Sequence, residues 1–108
     1  MKLTLIGGGG VRSPLFVNST LKRAERLRLD ELFIMDVDAY KLEIIGNVCQ
    51  MVARARSSPV RISTTTDARQ AIAGADYVVT SIRVGNEMGR INDERIALRH
   101  GVLGQETT

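Results

Sequence analysis

MKLTLIGGGGVRSP, residues 1–14, runs from a short apolar stretch through four consecutive glycines to a serine–proline pair. Lys2 to Ile6 reads as a short strand bounded by glycine. Ser13-Pro14 has the chemistry of a helix start: serine as N-cap, and proline at the first helical position, where its missing N–H costs nothing. Strand, glycine turn and helix N-terminus in that order make a backbone suited to lie against a phosphate. Glycine allows close approach, and the helix end offers free N–H groups and a positive dipole.

As a dinucleotide fingerprint the stretch is incomplete. Gly7 and Gly9 fill the first two positions of G-x-G-x-x-G. The third falls on Arg12, or on Ser13 in the alternative register, and neither is Gly or Ala. No Gly-Lys-Ser/Thr follows, which excludes a P-loop. The phosphate-facing segment on this reading is Gly7, Gly8, Gly9, Gly10, Val11 and Arg12.

Moving outward, Leu15, Phe16, Leu21, Ala24 and Leu27 supply an approximate apolar face for a long first helix. Leu32-Phe33-Ile34-Met35 is a continuous apolar run ending at Asp36, the pattern of a parallel strand buried on both faces. Asp38 can cap a second helix carrying Leu42, Ile45, Val48, Cys49 and Val52, broken by Ser57-Ser58-Pro59. Val60–Ser63 is a third short strand, and Asp67 caps a short helix closed by Gly74. Tyr77–Ile82 is a β-rich run, and Asn86–Arg99 a last helix stopped by Gly101. This β-α alternation predicts an α/β fold: a Rossmann-like parallel sheet with helices on both faces, in three layers, since each parallel strand needs a crossover helix. Such sheets bind ligands beyond the carboxyl ends of their strands. Those ends carry Gly7–Gly10, Asp36 and Arg83-Val84-Gly85.

Asp36 follows Gly7 by 29 residues, longer than the usual ~20, which a long first helix and the connection after it accommodate. A carboxylate there accepts hydrogen bonds from adenosine ribose hydroxyls and repels a 2′-phosphate, favouring NAD over NADP. The other reading is a turn or helix-capping aspartate. Arg83 and Arg90 are either anion clamps or solvated arginines. His100 suits a helix C-terminus, where an imidazolium meets partial negative charge. Cys49 reads as a small core residue.

Composition sets the outer limits. The 108 residues suit one domain, residues 1–108, and the 44% apolar share is enough for a core. Fifteen basic residues, twelve of them Arg, against 12 acidic ones give +3, spread without a block of like charge. That distribution argues against nucleic acid and suits phosphorylated small molecules. One cysteine excludes an intrachain disulfide and a multi-cysteine metal cluster. No apolar stretch approaches the ~20 residues needed to span a bilayer. The expectation is a soluble, cytoplasmic protein without nucleic-acid or membrane partners.

The series IGGGG-x-x-SP, LFIMD, TTTD, SIRVG-x-x-x-x-R-x-x-DERIAL-x-x-GVLGQETT resembles the N-terminal part of the family 4 glycoside hydrolases, with the 6-phospho-β-glucosidases as the nearest likeness. It departs from the family pattern at Gly10, where serine is usual, at Ser13-Pro14, where Thr-Pro is usual, and at Ile96–Gly101. The resemblance implies NAD-dependent hydrolysis: oxidation at C3 of the glucosyl ring, loss of the C2 proton, departure of the aglycone, addition of water and re-reduction. It implies a divalent metal, often manganese, polarising the C3 oxygen. Carried over, Gly7–Arg12 hold the pyrophosphate and Asp36 the adenosine ribose. Arg83 and Val84 lie near the nicotinamide, Arg90 binds the substrate's 6-phosphate, and Glu106 lies beside the active site. The family's metal-binding Cys and His and its base Tyr fall beyond this segment, so the resemblance implies an NAD-binding domain inactive by itself. It further implies a phosphorylated disaccharide or glucoside substrate and a homo-oligomer at full length. Two rival readings are a malate/lactate-type dehydrogenase domain and a non-catalytic NAD-sensing module.

Overall fold

The computed structural model describes residues 1–104. Four strands, β1 (Lys2–Ile6), β2 (Glu31–Met35), β3 (Arg61–Thr65) and β4 (Tyr77–Thr80), form one sheet in the order β3-β2-β1-β4. Every pairing is parallel, with Leu3 opposite Leu32 and Tyr77, and Leu32 opposite Ile62. The connecting helices are α1 (Ser13–Lys22), α2 (Ala24–Leu27), α3 (Ala39–Ala55) and α4 (Ala68–Ile72), with α5 (Asn86–Arg99) after β4. This is the expected Rossmann-like α/β arrangement, and β1 lies inside the sheet between β2 and β4.

Strand side chains alternate between faces. Leu3, Leu32, Ile34 and Ile62 share a buried cluster with Val17 and Leu21 of α1 and Leu42, Cys49 and Ala53 of α3. Thr4 and Phe33 take the opposite face. There the buried Thr4 hydroxyl donates to the Ala71 carbonyl of α4. Lys2 Nζ donates to the Ala73 carbonyl at 2.7 Å and stands 4.5 Å from the Phe33 ring centroid. Among the described residues, the helix on this face is the short α4, tied to the sheet by these polar contacts and by its buried Ala71.

α3 forms as its sequence predicts. Asp38 is extended, and its Oδ1 accepts the Lys41 N–H at 3.1 Å, satisfying an otherwise orphaned donor. Leu42, Gly46, Cys49 and Ala53 make its buried stripe. Asp67 caps α4 in the same way, accepting from the Arg69 N–H at 2.9 Å.

Four expectations are corrected. Ser13 is not an N-cap: it is the first helical residue, buried, with Arg12 at the cap position in an αR conformation and no side-chain cap bond. The glycine turn runs directly into the helix, with Ser13 N–H donating to the Gly10 carbonyl at 3.1 Å, so no extended cap residue intervenes. The long first helix is two, because the chain breaks between Lys22 and Ala24. Its buried stripe is Ser13, Val17, Thr20 and Leu21, while Leu15 is 72% exposed and Leu27 lies on the surface. Positions 13, 17, 20 and 21 face one side of a 3.6-residue helix, and two of them are hydroxyl residues that an apolar count overlooks. Finally, β3 begins one residue later and ends two later than Val60–Ser63, and β4 stops at Thr80 rather than Ile82.

Unlike α1, α3 and α4, the 14-residue α5 has no buried residue, and Met88, Ile96 and Leu98 face outward. The radius of gyration is 16.0 Å and the longest extent 52 Å, against about 13 Å for a compact chain of this length. The excess is an elongation of the molecule.

Two outcomes follow from the core. Leu32 is fully buried, so Leu32→Ala should cost about 2–5 kcal/mol in urea unfolding. Burial pushes the Cys49 thiol up to about 11, above the range of an exposed thiol. The folded state thus favours the protonated thiol, and this contribution is full below pH 9 and declines as pH rises toward 11. Alkylation of Cys49 under native conditions should track unfolding, and rapid labelling at pH 8 without unfolding would contradict this placement.

Candidate functional site

The glycine turn is anchored before any ligand is considered. The Gly7 and Gly8 N–H groups both donate to the Met35 carbonyl, each at 2.8 Å, tying the turn to the last residue of β2. Gly9 N–H donates to Asp36 Oδ2 at 2.8 Å. The other carboxylate oxygen, Oδ1, accepts the Asp38 N–H at 2.9 Å. Asp36 therefore links the glycine turn to the entry of α3, while each of its oxygens keeps a further lone pair.

Three of the four glycines have no room for a side chain. A Cβ on Gly7, whose φ is +86°, would lie 2.1 Å from the Ser81 carbonyl oxygen. On Gly8 it would lie 2.1 Å from Ile34 Cγ2, and on Gly9 2.8 Å from Asp36 Oδ2 and 3.2 Å from Lys41 Cβ. Gly10 is different: a Cβ there meets nothing within 4 Å, and its φ is unexceptional. The serine usual at this position in the resembling family would fit.

Beyond the carboxyl ends of β1, β2 and β4 opens a cleft of about 430 Å³. Gly7, Gly9 and Gly10 form one wall, Asp36, Val37 and Asp38 another, and Ser81, Ile82, Arg83 and Val84 a third, with Asn86 and Lys41 also lining it. Of the residues expected from sequence, the cleft brings together Gly7, Gly9, Gly10, Asp36, Arg83 and Val84. Gly8 is buried beneath the turn against Ile34. Val11 and Arg12 are exposed and outside the cleft lining. Arg90 lies on α5, where its Nε donates to Glu94 Oε1 at 3.3 Å, and it too is outside the lining. Glu106 lies outside the described residues.

Sequence reading missed Lys41, Ser81, Ile82 and Asn86. Lys41 had a detectable signal, a cation in the first turn of a helix, where the dipole disfavours it. Among the described residues, no group of three or more His, Cys, Asp or Glu could hold a metal ion, and no helix is long and apolar enough to cross a membrane.

An anion-friendly glycine turn, a helix N-terminus and a carboxylate at the next strand end, all at the carboxyl edge of a parallel sheet, define a dinucleotide-binding type of Rossmann-like domain. The family is specific: the model described as "Family 4 glycosyl hydrolase" matches residues 2–108, and the chain belongs to that family. The chain is 40% identical over 109 residues to a 6-phospho-beta-glucosidase of Escherichia coli strain K12, covering 99% of this chain and 24% of that protein. The 6-phospho-beta glucosidase of Thermotoga maritima, solved with manganese, NAD+ and glucose-6-phosphate, superposes with a TM-score of 0.86 at 34% identity, covering 100% of this chain and 25% of that one. A 6-phospho-alpha-glucosidase from gut microorganisms, solved with NAD and glucose-6-phosphate, gives 0.88 at 30% identity, covering 99% and 24%. The chain thus spans about a quarter of the length of the proteins it matches.

The steric pattern predicts the response to small side chains. Gly10→Ser should leave the melting temperature nearly unchanged, within about 0.5 kcal/mol, as surface substitutions usually do. Gly8→Ala should destabilise by about 1–3 kcal/mol through overpacking against Ile34. Equal effects of the two in thermal unfolding would contradict the different environments of these glycines.

Proposed function

We propose that residues 1–108 are the NAD-binding domain of a glycosidase acting on 6-phosphorylated glucosides, with the 6-phospho-β-glucosides as preferred substrates. One observation carries the reading. The glycine turn, closed to side chains at Gly7, Gly8 and Gly9, is hydrogen-bonded to a carboxylate that lines the same cleft. Family membership and relatives solved with NAD and glucose-6-phosphate support it.

In this reading the Gly7–Arg12 turn holds the pyrophosphate: Gly7, Gly8 and Gly9, whose N–H groups are engaged, allow its close approach, and the donors further along the turn and the N-terminus of α1 bind it. Asp36 accepts from the adenosine ribose hydroxyls through its remaining lone pairs, and its charge disfavours a 2′-phosphate. Arg83 and Val84, in the loop after β4, border the nicotinamide end. NAD bound there supplies a hydride acceptor that is reused within each turnover, so hydrolysis proceeds without net redox change. Arg90 binds the 6-phosphate of the substrate as a planar cation, and Glu106 lies beside the reacting sugar. The described residues offer no ligand set for a divalent metal, and none of these roles depends on one. A homo-oligomeric, cytoplasmic enzyme completes the proposal.

Calorimetry with NAD and NADP tests the cofactor assignment. NAD should bind at least tenfold tighter, and equal affinity would refute the role of Asp36. Asp36→Asn keeps the shape and removes the charge, so it should narrow that preference. Release of 4-nitrophenol from its 6-phospho-β-glucoside by the protein as its gene encodes it should require NAD and yield no net NADH. Net NADH from a hydroxy acid would instead indicate a dehydrogenase. Residues 1–108 alone should release no 4-nitrophenol.

A further inference from the structure

We infer that Lys41 is a cofactor-contacting residue whose ammonium group neutralises the pyrophosphate of the bound dinucleotide; this rests on the NAD-binding reading above. Lys41 lines the same cleft as Gly9, Gly10 and Asp36. Its Cβ stands 3.2 Å from where a Gly9 side chain would begin, so its stem starts beside the middle of the glycine turn. The four carbons of a lysine stem then let the ammonium reach the open side of the turn.

Charge explains why a cation is needed here. Asp36 and Asp38 both border the cleft, and Gly9 N–H, a donor of the turn, is already engaged by Asp36. An anionic pyrophosphate would therefore sit near two carboxylates with the Gly7, Gly8 and Gly9 N–H groups already engaged. Lys41 and Arg83 are the cationic side chains on the cleft wall, and Arg83 belongs to the far side, after β4. Lys41 is the one placed by the Asp36–Gly9 contact.

Helix energetics point the same way. Lys41 is the third residue of α3, after the Asp38 cap. A capping box would place Glu or Gln there, and the helix dipole disfavours a cation in the first turn. Lysine at this position opposes the stability of α3 and suits an anionic ligand.

The test measures binding by the protein as its gene encodes it, using NAD, ADP-ribose, adenosine and NADP over a salt series. Lys41→Met should weaken NAD and ADP-ribose about tenfold, leave adenosine unchanged and flatten the salt dependence. Lys41→Arg should restore most of the affinity. Circular dichroism reports whether α3 is intact in both variants. Unchanged NAD affinity in Lys41→Met would overturn the inference while leaving the cofactor assignment standing. So would an equal loss of adenosine, which indicates a structural role, or a loss confined to NADP, which indicates a 2′-phosphate contact. A wild-type protein that binds no NAD overturns both.

Discussion

Everything at the carboxyl edge of the sheet depends on where the glycine turn is held, and one carbonyl holds it. Met35 O accepts from both Gly7 and Gly8 at 2.8 Å. Because Met35 ends β2, the turn leaving β1 is fixed to the neighbouring strand instead of standing free. The Gly9–Asp36 contact adds a second tie one residue further along each chain. These bonds let the turn approach β2 so closely that Gly8 is buried over Ile34 and Gly9 abuts the Asp36 carboxylate. The absence of side chains at positions 7–9 is thus a packing requirement of the unliganded protein as well as a provision for a phosphate.

That arrangement constrains how the proposed cofactor would bind. Asp36 uses one lone pair of each oxygen for backbone donors, so a ribose diol can be accepted without breaking either bond. A carboxylate already fixed at both oxygens loses no rotamer freedom when its ligand arrives, which lowers the entropic cost of association. Moving it aside for a 2′-phosphate would instead leave the Gly9 and Asp38 N–H groups without their acceptor. On the proposed reading, discrimination against a phosphorylated ribose would have two sources, charge repulsion and the loss of bonds that shape the cradle.

Much of this was legible in the sequence, for identifiable reasons. The strand–helix alternation, the buried run before Asp36 and the caps at Asp38 and Asp67 follow from local chemistry, and the structure has each of them. Ser13 misled because serine before proline has the composition of a cap, whereas the turn reaches α1 already in helical geometry. Leu15 fits the apolar pattern but not the core, because hydroxyl residues fill the stripe: Ser13 and Thr20 take core positions, and Thr20 satisfies its hydroxyl on the Phe16 carbonyl at 2.8 Å. The distinct status of Gly10 could not be read at all, since four identical letters differ only in what surrounds them. Lys41 carries one weak signal, a cation in the first turn of α3, on a helix that exposes other charged residues as well.

The two halves of the proposed site rest on unequal supports. Gly7–Gly9 and Asp36 are carried by β1 and β2, paired strands over a buried cluster, with backbone bonds on both sides. Arg83 and Val84 follow β4, whose residues are mostly exposed, and Arg90 stands on α5, a helix with no buried side chain. A 14-residue helix is near the length at which isolated helices are marginal in water, and one exposed i,i+4 pair such as Arg90–Glu94 adds only about 0.3–0.5 kcal/mol. Local opening should therefore start from α5 and the loop before it, while the cradle opens only with the core. On the proposed reading, cofactor geometry would thus be set by the paired strands over the core, and substrate-phosphate geometry by a helix with no buried residue. Positional precision at Arg90 must come from contacts α5 makes outside the sheet's buried cluster, because the cluster does not reach it.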